Sequence, residues 1–159
     1  SYVFIWGQKQ ERTATWYGMF APTGEETEVV DAMHYIWTGK WPSNRAPRVN
    51  KMELNAQIAS DSINLSANGR YEAKLHVHDP DADPMSFSWE VKKESEASSG
   101  GGDFEHELAS LKNLLDDGEG PSIILTAPEA EGAYRLYAYA YDNNGHVAHA
   151  NIPFYVKSK

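Results

Sequence analysis

Through much of this chain the apolar residues recur at every second position, and that period of two constrains the fold more than any other feature. Tyr71, Ala73, Leu75 and Val77 alternate with Glu72, Lys74, His76 and His78, and Met85, Phe87, Trp89 and Val91 with Ser86, Ser88 and Glu90. Tyr134, Leu136, Ala138 and Ala140 alternate with Arg135, Tyr137, Tyr139 and Tyr141, and "HVAHANIPFYV" closes the chain. Successive side chains of a strand point to opposite faces, so this pattern predicts strands buried on one side. The turn signals "DPDADP", "APEAEG" and "DNNG" separate them, as in a small antiparallel sandwich of roughly 100 residues, and residues 46–159 supply that length. "ESEASSGGGD" reads as a flexible loop, and Phe104, Leu108, Leu111 and Leu115, at helical spacing, predict a short helix over one end.

Residues 1–45 have a different grammar. Tyr2 to Trp6 form an apolar run closed by Gly7, which predicts a strand buried on both faces. A polar loop, "GQKQERTAT", and an aromatic turn-back, "WYGMF", lead to a helix predicted from Glu25 to Trp37. Thr23 and Glu26 have capping-box spacing at its start, and Gly39 and Pro42 lie just past its end. Val29, Val30, Met33, Ile36 and Trp37 make one apolar face, with Glu28, Asp31 and His34 on the other. Strand, loop and helix are the parts of an α/β unit, and "PSNRAPRVN" reads as the connector between that unit and the strands. The predicted class is therefore mainly β: a sandwich over 46–159 preceded by a strand-loop-helix α/β remnant over 1–45.

"VHDPDADPMSFSWEV" and "TAPEAEGAYRLYAYAYDNNGHVAHANIPFYV" resemble the immunoglobulin-like or PKD-like sandwich appended to bacterial glycoside hydrolases. "YVFIWGQKQERTATWYGMF" with "GEETEVVDAMHYIWTGKWP" is similar to the end of a TIM-barrel hydrolase of the family-two type: last strand, last loop, last helix. The resemblance implies a secreted or periplasmic, polysaccharide-degrading parent. It also implies that the catalytic carboxylates belong to earlier barrel strands, so none maps to this sequence. Glu11, the acid nearest the end of the barrel-type strand, has no partner acid in its loop, whereas glycoside hydrolysis needs a pair. The expectation is a non-catalytic module that binds a polysaccharide or oligosaccharide, or else a sandwich that only props up a hydrolase.

Charge narrows the partners. Twenty-three acidic against 14 basic residues give a net charge of −9, which disfavours nucleic acid and anionic membrane surfaces. Zero cysteines exclude disulfides and thiolate metal sites. An apolar N-terminal strand without its barrel neighbours would favour self-association through that segment.

The candidate site residues are mostly aromatic. By resemblance, Trp6 takes the place of the Trp that floors the sugar subsite at the end of a last barrel strand; alternatively, Trp6 and Trp37 form core between strand and helix. Trp16, Tyr17 and Trp41 lie in polar loop contexts, where a large ring often marks a binding surface. Tyr137, Tyr139 and Tyr141 share one face of a strand; facing outward they make a strip along which a sugar chain can lie, facing inward they are core. Asp79, Asp81 and Asp83, with Asp142 from the facing loop, can converge on Ca²⁺, although an EF-hand would need glycine where Pro84 stands. The same residues also suit a plain Asp-Pro turn. His76, His78, His146 and His149 read as solvent-facing rather than as a zinc set.

Overall fold

The computed structural model describes residues 2–15, 18–98, 102–116 and 118–158. Among the described residues one helix, α1 (Glu28–Thr38), precedes seven strands: β1 (Arg48–Leu54), β2 (Asn64–Ser66), β3 (Arg70–His78), β4 (Ser86–Lys93), β5 (Ser122–Thr126), β6 (Gly132–Tyr141) and β7 (Val147–Lys157). They form two sheets, in the orders β1-β3-β5 and β2-β7-β6-β4, antiparallel except for the β2–β7 pair. The chain is a β-sandwich.

The alternation read from the sequence decides what lies between the sheets. Leu136, Ala138 and Ala140 of β6 face the core, with Ala73 and Leu75 of β3, Ile123 and Leu125 of β5, and Ile152, Phe154 and Val156 of β7. Register explains the small residues: Trp89 pairs with Ala138 and Phe87 with Ala140, so large rings on β4 lie beside methyl groups on β6. Such alternation of size lets the layers interdigitate.

The stretch 104–115 contains no helix. Leu111 instead bridges to Val91 at the edge of β4, and Leu115 bridges to Leu125 of β5, so residues 111–116 form a strap between the two sheets. Phe104, expected on the apolar face of that helix, is exposed. The i, i+4 spacing was real, but unpaired edges on both sheets offered this segment a ladder instead.

The N-terminal part departs further from expectation. Tyr2 to Trp6 do not form a strand: Ile5 makes one parallel bridge to Gly18, and Tyr2, Phe4 and Trp6 point into solvent, Trp6 being 72% exposed. A doubly buried strand needs neighbours on both edges, and among the described residues only 18–20 pair with this stretch. The helix starts later than predicted. Thr27 is the N-cap, its hydroxyl accepting from the Val29 amide at 3.4 Å and donating to the Met19 carbonyl at 2.9 Å, while the Thr23 hydroxyl bonds the Glu25 carboxylate. Gly39 closes the helix at φ 74°, the left-handed turn for which glycine is suited. The helix faces are also partly exchanged. Ile36 and Trp37 are exposed, so Trp6 and Trp37 are not core, whereas Asp31 is buried with its Oδ2 accepting from the Ala46 amide at 2.9 Å.

This part docks on the sandwich through backbone and buried polar groups. Glu26 bridges His146 in parallel, with Glu26 N donating to the Gly145 carbonyl at 2.9 Å and Val147 N to the Glu26 carbonyl at 2.8 Å. In "PSNRAPRVN", Ala46 and Pro47 are buried, Asn44 Nδ2 donates to Asp142 Oδ2 at 2.7 Å, and Arg45 N donates to Asp81 Oδ2 at 2.8 Å.

Candidate functional site

The outer face of the four-stranded sheet carries what the core rejects. Register puts Ser88 and Glu90 of β4 beside Tyr139 and Tyr137 of β6, and His149 and Asn151 of β7 on their other side. Residues 8–15 and 21–23 cover this face from one side and the strap from the other, leaving an open cavity of about 520 Å³. Tyr139 and Tyr141 line it with nearly parallel rings, 6.4 Å apart and inclined by 22°. Tyr137, the third member of the predicted strip, is only 2% exposed and does not line the cavity. The tyrosines thus face away from the core, and two of the three are open to a ligand.

A polar network stands beside the rings. The Tyr139 hydroxyl donates to Glu90 Oε1 at 2.9 Å, and the Ser110 hydroxyl donates to Glu90 Oε2. Lys92 is 4% exposed; its Nζ lies 3.3 Å from Glu90 and 3.6 Å from Glu107, above the Tyr137 ring at 5.7 Å. Burial, the charge on Glu90 and the hydrogen bond to it all push the Tyr139 hydroxyl well above the ordinary tyrosine range. Burial likewise pushes Tyr137 up to about 12, Glu94 and Glu90 adding to it against the opposing Arg135 charge. Both phenols are therefore neutral donors at physiological pH. His149 lies in the same face, its ring centroid 6.4 Å from that of Tyr139, and burial lowers its pKa below the usual 6.5. Aromatic faces beside a carboxylate acceptor and an ammonium donor can hold a polyhydroxylated ring by its apolar face and its hydroxyls together.

The other predicted residues lie elsewhere. Trp6 packs on Phe20, centroids 4.9 Å apart, in the exposed N-terminal stretch. Trp41 lies just beyond α1, stacked on Tyr35 at 4.5 Å with the Arg45 guanidinium 4.2 Å from its centroid; neither indole lines the cavity. Trp16 and Tyr17 lie outside the described residues.

The aspartates form a turn network. Asp79 Oδ1 accepts from the Asp81 and Asp83 amides at 2.8 and 3.1 Å, Asp83 Oδ2 accepts from Asn144 Nδ2 at 2.9 Å, and Asp142 Oδ1 accepts from the Asn144 and His146 amides at 2.7 and 3.0 Å. Among the described residues no three His, Cys, Asp or Glu side chains converge as a metal-ligand set. His76 and His78 are exposed, but His146 and His149 are not simply solvent-facing: the first is held by Asp142, the second lines the cavity. Glu90 and Lys92 were not singled out by their sequence context, and His149 was read only as solvent-facing, although "SWEVK" and "VAHAN" alternate in step with the tyrosines. The missing information was register between strands.

No protein-family model matches this chain, and no curated protein matches it. Among solved structures it is similar to a nucleoside hydrolase-related hypothetical protein from Saccharophagus degradans that is associated with carbohydrate metabolism, with 17% identity and a TM-score of 0.45 over 73% of this chain; the chain spans 26% of that protein's length. It is also similar to PcoC, a methionine-rich copper resistance protein from Escherichia coli, with 15% identity and a TM-score of 0.42 over 70% of this chain and 99% of PcoC. The selenomethionine form of PcoC gives 13% identity and a TM-score of 0.36 over 69% of this chain and 99% of its own.

Proposed function

We propose that this chain is a non-catalytic carbohydrate-binding module of a secreted or periplasmic glycoside hydrolase, and that the cavity over β4, β6 and β7 is its sugar site. The observation that carries this reading is the paired exposure of Tyr139 and Tyr141 beside the Glu90–Lys92 pair in one cavity of about 520 Å³. That volume lies within the range of small-ligand pockets, roughly 300–1,000 Å³. The partner is a polysaccharide or oligosaccharide; nucleic acid and membrane play no part, and copies associate through the exposed N-terminal stretch.

The test is affinity electrophoresis in soluble glucan, xylan or mannan, with calorimetry on whichever binds. Tyr139→Ala and Tyr141→Ala should each weaken binding at least about tenfold, as truncation of a ring at a hot spot does. Retardation by none of the three polysaccharides would sink the reading.

One observation favours a structural role instead. Tyr137 is buried and Asn151 Nδ2 donates to Thr15 Oγ1 at 3.2 Å, so part of this outer face is spent on holding the N-terminal part. On that reading the sandwich props a hydrolase and has no ligand of its own.

A further inference from the structure

A second cavity, of about 500 Å³, adjoins the first on the side of β1 and α1. Its walls include Val49, Val147 and Asn151, and it shares two residues with the first cavity, Thr15 and His149. Polar groups around both cavities are mostly engaged by the protein. Asn151 donates to Thr15 and accepts from Arg135, Thr27 donates to the Gly18 and Met19 carbonyls, and Glu90 is held by Tyr139 and Ser110. His149 and Gln8 are the contrast, the Gln8 amide being buried in the wall of the first cavity with neither its nitrogen nor its oxygen partnered among the described residues. The His149 ring meets Tyr139, and among the described residues no side-chain hydrogen bond to either of its nitrogens is seen. Its burial keeps the imidazole neutral at physiological pH, with one N–H donor and one lone-pair acceptor that no described residue engages, at the junction of two cavities. The imidazoles of His34, His76 and His146 are instead spent on the Lys40 carbonyl, Glu53 and Asp142.

We propose that the two cavities act as one site for a linear oligosaccharide whose neighbouring units occupy both, and that His149 is the specificity-determining residue that hydrogen-bonds the sugar at the junction. This rests on the carbohydrate-binding reading above and adds to it the length of the ligand and the residue that reads it. A neutral imidazole between two cavities suits a chain hydroxyl or linkage oxygen, since it can donate to one and accept from the other. A single sugar unit in the first cavity can engage one of those two groups and leaves the other without a sugar partner.

Titration calorimetry on the full chain with β-1,4-linked gluco-, xylo- and manno-oligosaccharides of one to six units tests this. For the series that binds, affinity should climb by about tenfold or more from the monosaccharide to the tetrasaccharide. His149→Ala should lower affinity for the tetrasaccharide about tenfold, with His149→Gln, which keeps a donor and an acceptor, recovering part of the loss. Glu28→Trp, an exposed position at the wall of the second cavity, should flatten the dependence on length. Binding that depends on Tyr139 and Tyr141 but not on length or His149 overturns the two-cavity site and leaves the carbohydrate-binding reading standing. No binding of any oligomer to the unaltered chain, with none of the polysaccharides retarding it, overturns both.

Discussion

The Tyr139 hydroxyl and the Glu90 carboxylate meet at 2.9 Å across the β4–β6 ladder, and the same carboxylate is the nearer partner of the buried Lys92 ammonium at 3.3 Å. Glu90 thus holds both the Tyr139 hydroxyl and the Lys92 ammonium, whose other acidic partner, Glu107, is farther away at 3.6 Å and exposed.

Removing that carboxylate should cost more than removing the ammonium. Glu90→Ala leaves Lys92 with the exposed Glu107 alone and should destabilise the fold by about 2 kcal/mol, below the roughly 3–5 kcal/mol of a fully enclosed pair because the cavity is open. Lys92→Met keeps the stem's packing, leaves Glu90 bonded to Tyr139 and Ser110, and should stay within about 1 kcal/mol of the unaltered chain. Urea unfolding of both variants checks the order.

Acid should loosen the joint at Asp142. Burial alone would raise this carboxyl's pKa, but the His146 and Asn144 amides, the Asn44 side chain and the His146 charge outweigh it and hold the group below its ordinary 3.8. A carboxyl with a depressed folded pKa contributes stability above its unfolded value and loses it as pH falls through the folded one. Stability should therefore fall below about pH 4, and Asp142→Asn should be less stable at neutral pH with a shallower acid limb. Denaturation midpoints from about pH 2.5 to 6 decide this.

His149 gives a second pH window with the same sign. Its folded pKa lies below 6.5, so between the two values the unfolded chain binds the proton and the folded one does not, and stability rises with pH. His149→Leu should remove the loss of stability that sets in as pH falls below 6.5, measured by the same titration in steps across about pH 5 to 7.5.

At the joint between α1 and β1, Asp31→Ala should cost about 1–3 kcal/mol, because it leaves the Ala46 amide buried without an acceptor. Asp31→Asn retains a carbonyl oxygen and should recover most of that loss. Thermal unfolding of the two variants side by side is sufficient.

Trp6→Ala should leave sugar binding unchanged, since Trp6 packs on Phe20 outside both cavities. A loss of affinity equal to that of Tyr141→Ala would move the site to the N-terminal stretch.

Features that depend on neighbours in sequence were legible in the chain itself. Leu136, Ala138 and Ala140 face the core because strand alternation is local, and Gly39 ends the helix because a left-handed turn needs a residue without a side chain. Properties set by distant partners did not show. Phe4 and Trp6 look like core in isolation, yet burial requires a surface to bury against, and Asp31 looks like a solvent residue until the Ala46 amide arrives above it. The strip of tyrosines was legible as a strip; that His149 lies beside Tyr139 emerges only from strand register, and that Glu90 reaches the Tyr139 hydroxyl and Tyr137 is buried emerges only from the packing of distant residues.

The strap over residues 111–116 has a consequence for how the molecule comes apart. Leu111 N bonds the Val91 carbonyl at 2.7 Å in one sheet, while Thr126 N bonds the Leu114 carbonyl at 2.7 Å in the other, so a few consecutive residues belong to both layers. The sheets cannot slide or separate without breaking that stitch, and breaking it exposes an edge in each at once. Opening of either layer is thereby coupled to the other, and the sandwich loses its protection against hydrogen exchange as one cooperative unit rather than layer by layer.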